Sequence, residues 1–79
     1  MSSQGGGTFR VLQEFMDRDV LIKLKGGRMV TGSLVSYDGH LNILLKNAYE
    51  IVDPETHEKR PLGTILVRGD NVIVVSPVF

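Results

Sequence analysis

Apolar positions along the chain follow two successive rhythms. Phe9, Leu12 and Met16 recur at helical spacing, with Arg10, Gln13 and Glu14 on the other side. The spacing predicts a short helix that Thr8 can cap and that ends near Asp17. A helix this short is unstable alone, so its apolar stripe is expected to pack on a core. From Val20 the rhythm becomes alternation. Val20, Ile22 and Leu24 interleave with Lys23 and Lys25, the pattern of a half-buried strand. Gly26-Gly27 supplies a tight turn, because glycine accepts the positive φ that such turns need. Arg28 to Tyr37 reads as a second strand interrupted by Gly32, where a bend or bulge is expected.

Asp38-Gly39 marks the next turn. His40 to Val52 reads as one long strand, with Leu41, Ile43, Leu45 and Ile51 on a single face. Asp53 to Pro61 is polar and is expected to be an exposed loop. Leu62–Val67 and Val72–Ser76 are two further strands joined by Arg68-Gly69-Asp70-Asn71, and Pro77 ends the last one. The predicted fold is all-β: a short N-terminal helix, then five antiparallel strands in a strongly bent sheet forming a small open barrel. The run Val72-Ile73-Val74-Val75 is apolar on both faces, and such an edge invites pairing with another chain. Pairing one edge with the opposite edge of a neighbour closes a ring when the rotation permits.

Composition narrows the classes. The chain has 79 residues, so one domain is expected: a Ser/Gly-rich disordered tail over 1–7, then a single domain over 8–79. A domain of this size buries a limited share of its surface, which favours oligomerisation as added burial. There is no cysteine, hence no disulfide, and His40 and His57 lie far apart in sequence, so neither a metal nor another cofactor is expected. Net charge is zero, which argues against sequence-blind duplex binding built on many cationic phosphate contacts. No apolar stretch approaches the ~20 residues of a membrane span, and no signal-peptide pattern occurs, so a cytoplasmic protein without membrane contact is expected.

Candidate chemistry sits in the two polar breaks. In an extended segment Asp38, His40 and Asn42 would share one side. Asn offers a paired donor and acceptor that match a base edge, His can stack, and Asp can orient the amide. In the second break Arg68 can stack its plane on a base or bind phosphate, and Gly69 allows close backbone approach. The same residue types also suit plain turns, with His40, Asn42 and Arg68 solvated. Met at one rim, the two clusters would have the makings of a single-stranded RNA site. Ser36, Asp38, His40 and Asp70 lack any nucleophile–base–orienter order, so no catalytic residue and no enzyme activity are expected. Lys23, Lys25 and Arg28 read as a solvated surface.

These residues also carry a family resemblance. Val20 to Asn47, with Gly32 in the bent strand and Asp38 and Asn42 around an apolar residue, resembles the first motif of the Sm and Sm-like proteins. Leu62 to Ser76, containing Val67-Arg68-Gly69-Asp70-Asn71, resembles the second. The short variable loop and His40 are most similar to the archaeal Sm-like proteins. The resemblance implies a homo-oligomeric ring, heptameric in most cases, joined by the fourth strand of one subunit and the fifth of the next. It implies binding of uridine-rich single-stranded RNA at the pore, with a role as RNA chaperone or RNA-processing scaffold and RNA-processing proteins as further partners. By the same resemblance His40 and Arg68 would sandwich the base and Asn42 would read its edge. Asp38 would orient Asn42 or Arg68, and Gly69 and Asp70 would offer backbone amides. The rival reading is a homo-oligomeric protein-assembly platform with RNA binding secondary.

Overall fold

A computed structural model of the protein describes residues 10–78. The expected tail over 1–7, the Thr8 cap and Phe9 lie outside the described residues. The N-terminal helix is seen over 10–14. It then tightens: Phe15, Met16 and Arg18 donate their N–H groups three residues back, to Leu12, Gln13 and Phe15. Asp17 turns left-handed at φ 62, a conformation Asp tolerates better than most residues. The regular helix therefore stops short of Asp17. Asp17 N–H donates to the Leu34 carbonyl and Leu34 N–H to the Arg18 carbonyl, which ties this corner to the sheet.

Five antiparallel strands follow: β1 (Asp19–Leu24), β2 (Met29–Tyr37), β3 (Ile43–Asp53), β4 (Glu58–Val67) and β5 (Val72–Pro77). They form one sheet in the order β4-β3-β2-β1-β5, strongly bent and not closed between β4 and β5. The core lies on its inner face, with Val20, Ile22, Val30, Leu34, Ile43, Leu45, Ala48 and Val67 packed together. The β1–β2 turn places Gly26 and Gly27 at φ 85 and 83, as the Gly-Gly pair requires.

Bending has two visible causes. Gly32 is buried, and a Cβ on it would lie 3.1 Å from Ala48 Cα and 3.2 Å from Leu45 Cβ. Its missing side chain lets β2 fold down on β3, and the register between these strands slips beside it, between Thr31 and Ser33. The second cause lies in β3. Its register against β4 shifts between Leu45 and Ala48, where Asn47 sits at φ 51. An extra residue in a strand reverses which parity faces inward. Ile43 and Leu45 are buried, but after the bulge Ala48 takes the inner position and Ile51 is only half-buried. The single-face pattern expected through Ile51 thus breaks at Asn47.

Two further expectations are corrected. His40 to Asn42 are not strand, since β3 begins at Ile43. The exposed loop expected to Pro61 is only a turn over 54–57, with His57 at φ 61, and Glu58 to Pro61 pair as β4. Backbone pairing outweighs the polar composition there because an outer strand tolerates solvated side chains. Near this end Glu50 is held by Arg28 Nε at 2.9 Å and by Arg60 Nη2 at 3.5 Å. The Arg28 hydrogen bond and charge, with a smaller effect from Arg60, hold the Glu50 carboxyl below its ordinary range. No helix among the described residues is long and apolar enough to cross a membrane.

Candidate nucleic-acid interface

The two polar breaks are the β2–β3 loop, 38–42, and the β4–β5 connection, 68–71. The first is built around Asp38. Its Oδ1 accepts the His40 N–H at 2.8 Å and the Asn42 N–H at 3.0 Å, while Oδ2 accepts the Asn42 side-chain amide at 3.0 Å. Backbone bonds close the same loop, from Asp38 N–H to the Asn42 carbonyl and from Leu41 N–H to the Asp38 carbonyl. A short carboxylate that captures N–H groups two and four residues on is the reason Asp suits this turn. The second break is one turn of 3-10 helix over Gly69–Asn71, with the Asn71 N–H donating to the Arg68 carbonyl.

One hydrogen bond joins the loops: Gly69 N–H donates to Asn42 Oδ1 at 2.8 Å. The approach is so close that a Cβ on Gly69 would run into the His40 carbonyl oxygen. Gly69 is therefore required for clearance, since its φ is not in the left-handed region. His40, Asn42, Arg68, Gly69 and Asp70 together line a cleft of about 500 Å³. Asp38 supports it from within the loop. The Arg68 guanidinium lies 3.4 Å from the Asp70 carboxylate, both well exposed, and such a pair contributes little in water.

The six site residues named from sequence are thus gathered at one place, by a route other than the expected one. Leu41 at φ 60 reverses the chain between His40 and Asn42, so alternation along a strand does not operate here. The Gly69 N–H is engaged by Asn42 Oδ1 rather than left for a ligand. Leu41, expected on the apolar face of a strand with Ile43, is instead a half-buried loop residue. His57 lies at the β3–β4 turn, at the far end of β3 from His40.

Asp38 is held below the ordinary aspartate range, first by the Asn42 side-chain bond, then by the Asn42 and His40 N–H groups. The sign follows from the depressed folded value. The carboxylate's contribution to the loop is complete above the unfolded aspartate value and is lost as pH falls through the folded one. An NMR titration of the His40 and Asn42 amides is expected to show a midpoint below that of an unstructured aspartate. A midpoint at or above it would remove Asp38 from its structural role.

An LSM domain model matches residues 10–77. An snRNP Sm-like protein of Aeropyrum pernix is 49% identical over 70 residues, covering 89% of this chain and 87% of that one. The SmAP1 heptamer of P. aerophilum superposes with a TM-score of 0.82 at 40% identity, over 89% of this chain and 90% of that one. The Sm protein of Pyrococcus abyssii, solved in complex with a uridine heptamer, gives a TM-score of 0.79 at 41% identity, over 89% and 96%.

Proposed function

The chain belongs to the LSM domain family, and from that premise we propose that it forms a homo-heptameric ring binding uridine-rich single-stranded RNA, one base per cleft. The observation that carries the reading is the fixed orientation of the Asn42 amide. Its nitrogen donates to Asp38 and its oxygen accepts from Gly69. One N–H and one lone pair remain for a ligand. The amide cannot rotate without losing both internal bonds, so it presents donor and acceptor in one order only. Uracil offers an acceptor beside an N–H donor on its pairing edge, and cytosine offers the reverse order. A base held between His40 and Arg68 meets that edge in a set orientation, so the locked amide favours uracil. The Pyrococcus abyssii relative's complex with a uridine heptamer supports this choice.

The two unpaired sheet edges, β4 and β5, support the ring, as does the heptameric P. aerophilum relative. One base stacked and read in one cleft contributes about 1–3 kcal/mol, too little for useful affinity. Repetition around a ring lets one strand engage several clefts, and avidity multiplies the effect. A subunit of zero net charge then needs no broad basic surface. Such a ring acts by holding RNA, as a chaperone or processing scaffold, rather than by turnover.

The test is fluorescence anisotropy of short oligo-uridine against oligo-cytidine and oligo-adenosine near physiological salt. Uridine preference is the expected result. Absence of binding by an intact ring would favour the protein-assembly platform instead. Asn42→Ala is expected to lower the uridine preference by about tenfold or more at unchanged ring mass, since a bidentate edge contact discriminates by about 1–3 kcal/mol. Equal loss of preference and assembly would defeat the edge-reading role.

A further inference from the structure

Leu41 is the one apolar residue in the 38–42 loop, and its backbone is left-handed at φ 60. A leucine stays in that region only where its surroundings over-determine it. Part of the restraint is polar, since Leu41 N–H donates to the Asp38 carbonyl. The rest is apolar. Leu41 is half-buried and lines a groove of about 350 Å³ shared with Leu12 and Phe15 from the helical corner and Val72 and Val75 from β5. Its neighbours on both sides, His40 and Asn42, line the polar cleft instead.

From this arrangement we propose that Leu41 is a positioning residue for the base site, its side chain anchoring the loop in the groove so that His40 and Asn42 are held toward the cleft. The proposal rests on the uridine-binding reading above. The backbone at 41 is the point where the loop reverses, so an apolar arm held on the groove side sets the direction of the residues before and after it. Removing the arm leaves the Asp38 turn intact but frees the reversal. The loop then samples several conformers, and the apparent affinity falls by the fraction that remains competent.

Three variants separate the anchor from the backbone: Leu41→Met, Leu41→Ala and Leu41→Asn, each measured for oligo-uridine anisotropy and for ring mass by light scattering. Met keeps an apolar arm of similar volume and is expected to bind within about twofold of the wild type. Ala removes most of the arm and is expected to bind about tenfold weaker or worse at the same ring mass. Asn tolerates the left-handed backbone better than leucine but has no apolar arm, and the same loss of about tenfold is expected. Binding by the Ala or Asn variant within twofold of wild type overturns the proposal, because the backbone alone would then suffice.

If the Ala and Asn variants lose the ring, hydrogen exchange at the Gly69 amide decides in their folded subunits. Faster exchange there supports the anchor, and unchanged exchange overturns it. If the Ala variant does not fold, Leu41→Gln, of similar length but polar, takes its place with the same two readings. A wild-type protein without uridine preference would instead be a failure of the functional reading. The Gly69 exchange then tests the anchor independently.

Discussion

Ile73→Asp and Leu66→Asp are each expected to reduce the assembly to a monomer by light scattering, and a mixture of the two to give a one-to-one dimer. The sheet leaves two strands with one side unpaired, β4 and β5. Each carries an exposed large apolar side chain, Leu66 at 65% and Ile73 at 61%. An aspartate buried without a partner at a strand junction costs about 3–5 kcal/mol, which opposes closing that junction. The Ile73 variant still has a sound β4 edge, and the Leu66 variant a sound β5 edge. One good junction can therefore form between them, and propagation stops at two. A self-complementary interface would not behave this way, because it uses one edge twice: only the mutation on that edge would open it, and mixing would give no one-to-one pair. Val74 is a less sharp probe, since it pairs with Lys23 across β1 and that ammonium would offset a new carboxylate. A mixture that rebuilds full rings would refute the β4-to-β5 junction. Both single variants are also expected to lose most of their oligo-uridine affinity, because avidity disappears with the ring.

Gly69→Ala is expected to abolish uridine preference and to lower stability, while far-ultraviolet circular dichroism remains that of the native sheet. The added methyl would collide with the His40 carbonyl oxygen and lie 2.9 Å from the carbonyl carbons of His40 and Leu41. These are backbone atoms that no side-chain rotation can clear, so one loop must move off the other. Overpacking of this kind costs about 1–3 kcal/mol. The movement also breaks the Gly69 N–H bond to Asn42 Oδ1 and frees the amide to rotate. A locked amide distinguishes uracil from cytosine, whereas a rotating one serves both. The expected signature is thus a loss of discrimination between oligo-uridine and oligo-cytidine, more than a uniform loss of affinity. Retained discrimination in this variant would mean that Asn42 orientation does not set base choice.

Much of the fold was legible along the chain because its cues are local. Val20 and Ile22 lie two apart, flanked by Asp19 and Lys23 with a half-buried Leu21 between them, and are buried in β1 as the period of two requires. Gly26-Gly27 and Asp38-Gly39 were legible as turns because glycine's conformational freedom and aspartate's short carboxylate act within four residues. Gly32 announced a bend, though not its partner, since Leu45 and Ala48 approach it from a different strand. The bulge at Asn47 was not legible. A one-residue slip is chosen by how β3 fits β2 and β4 together, and it silently moved the inner face from Leu45 to Ala48.

The candidate site divides the same way. The residue types of the two polar clusters, the zero net charge and the absence of cysteine were set by the chain alone. Tertiary structure decided how those residues meet. The expected convergence of Asp38, His40 and Asn42 by strand parity does not occur, because Leu41 reverses the chain. Convergence comes instead from the Asp38 turn and from the bond between Asn42 and Gly69, 27 residues apart. The same fold turned Gly69 from an expected amide donor toward a ligand into the clearance that lets the two loops touch. Local hydrogen bonding and side-chain periodicity are encoded within a few residues, so sequence determined the strands and the turns. The distance and direction between two loops depend on the bend of the whole sheet, so only the folded chain determined the cleft.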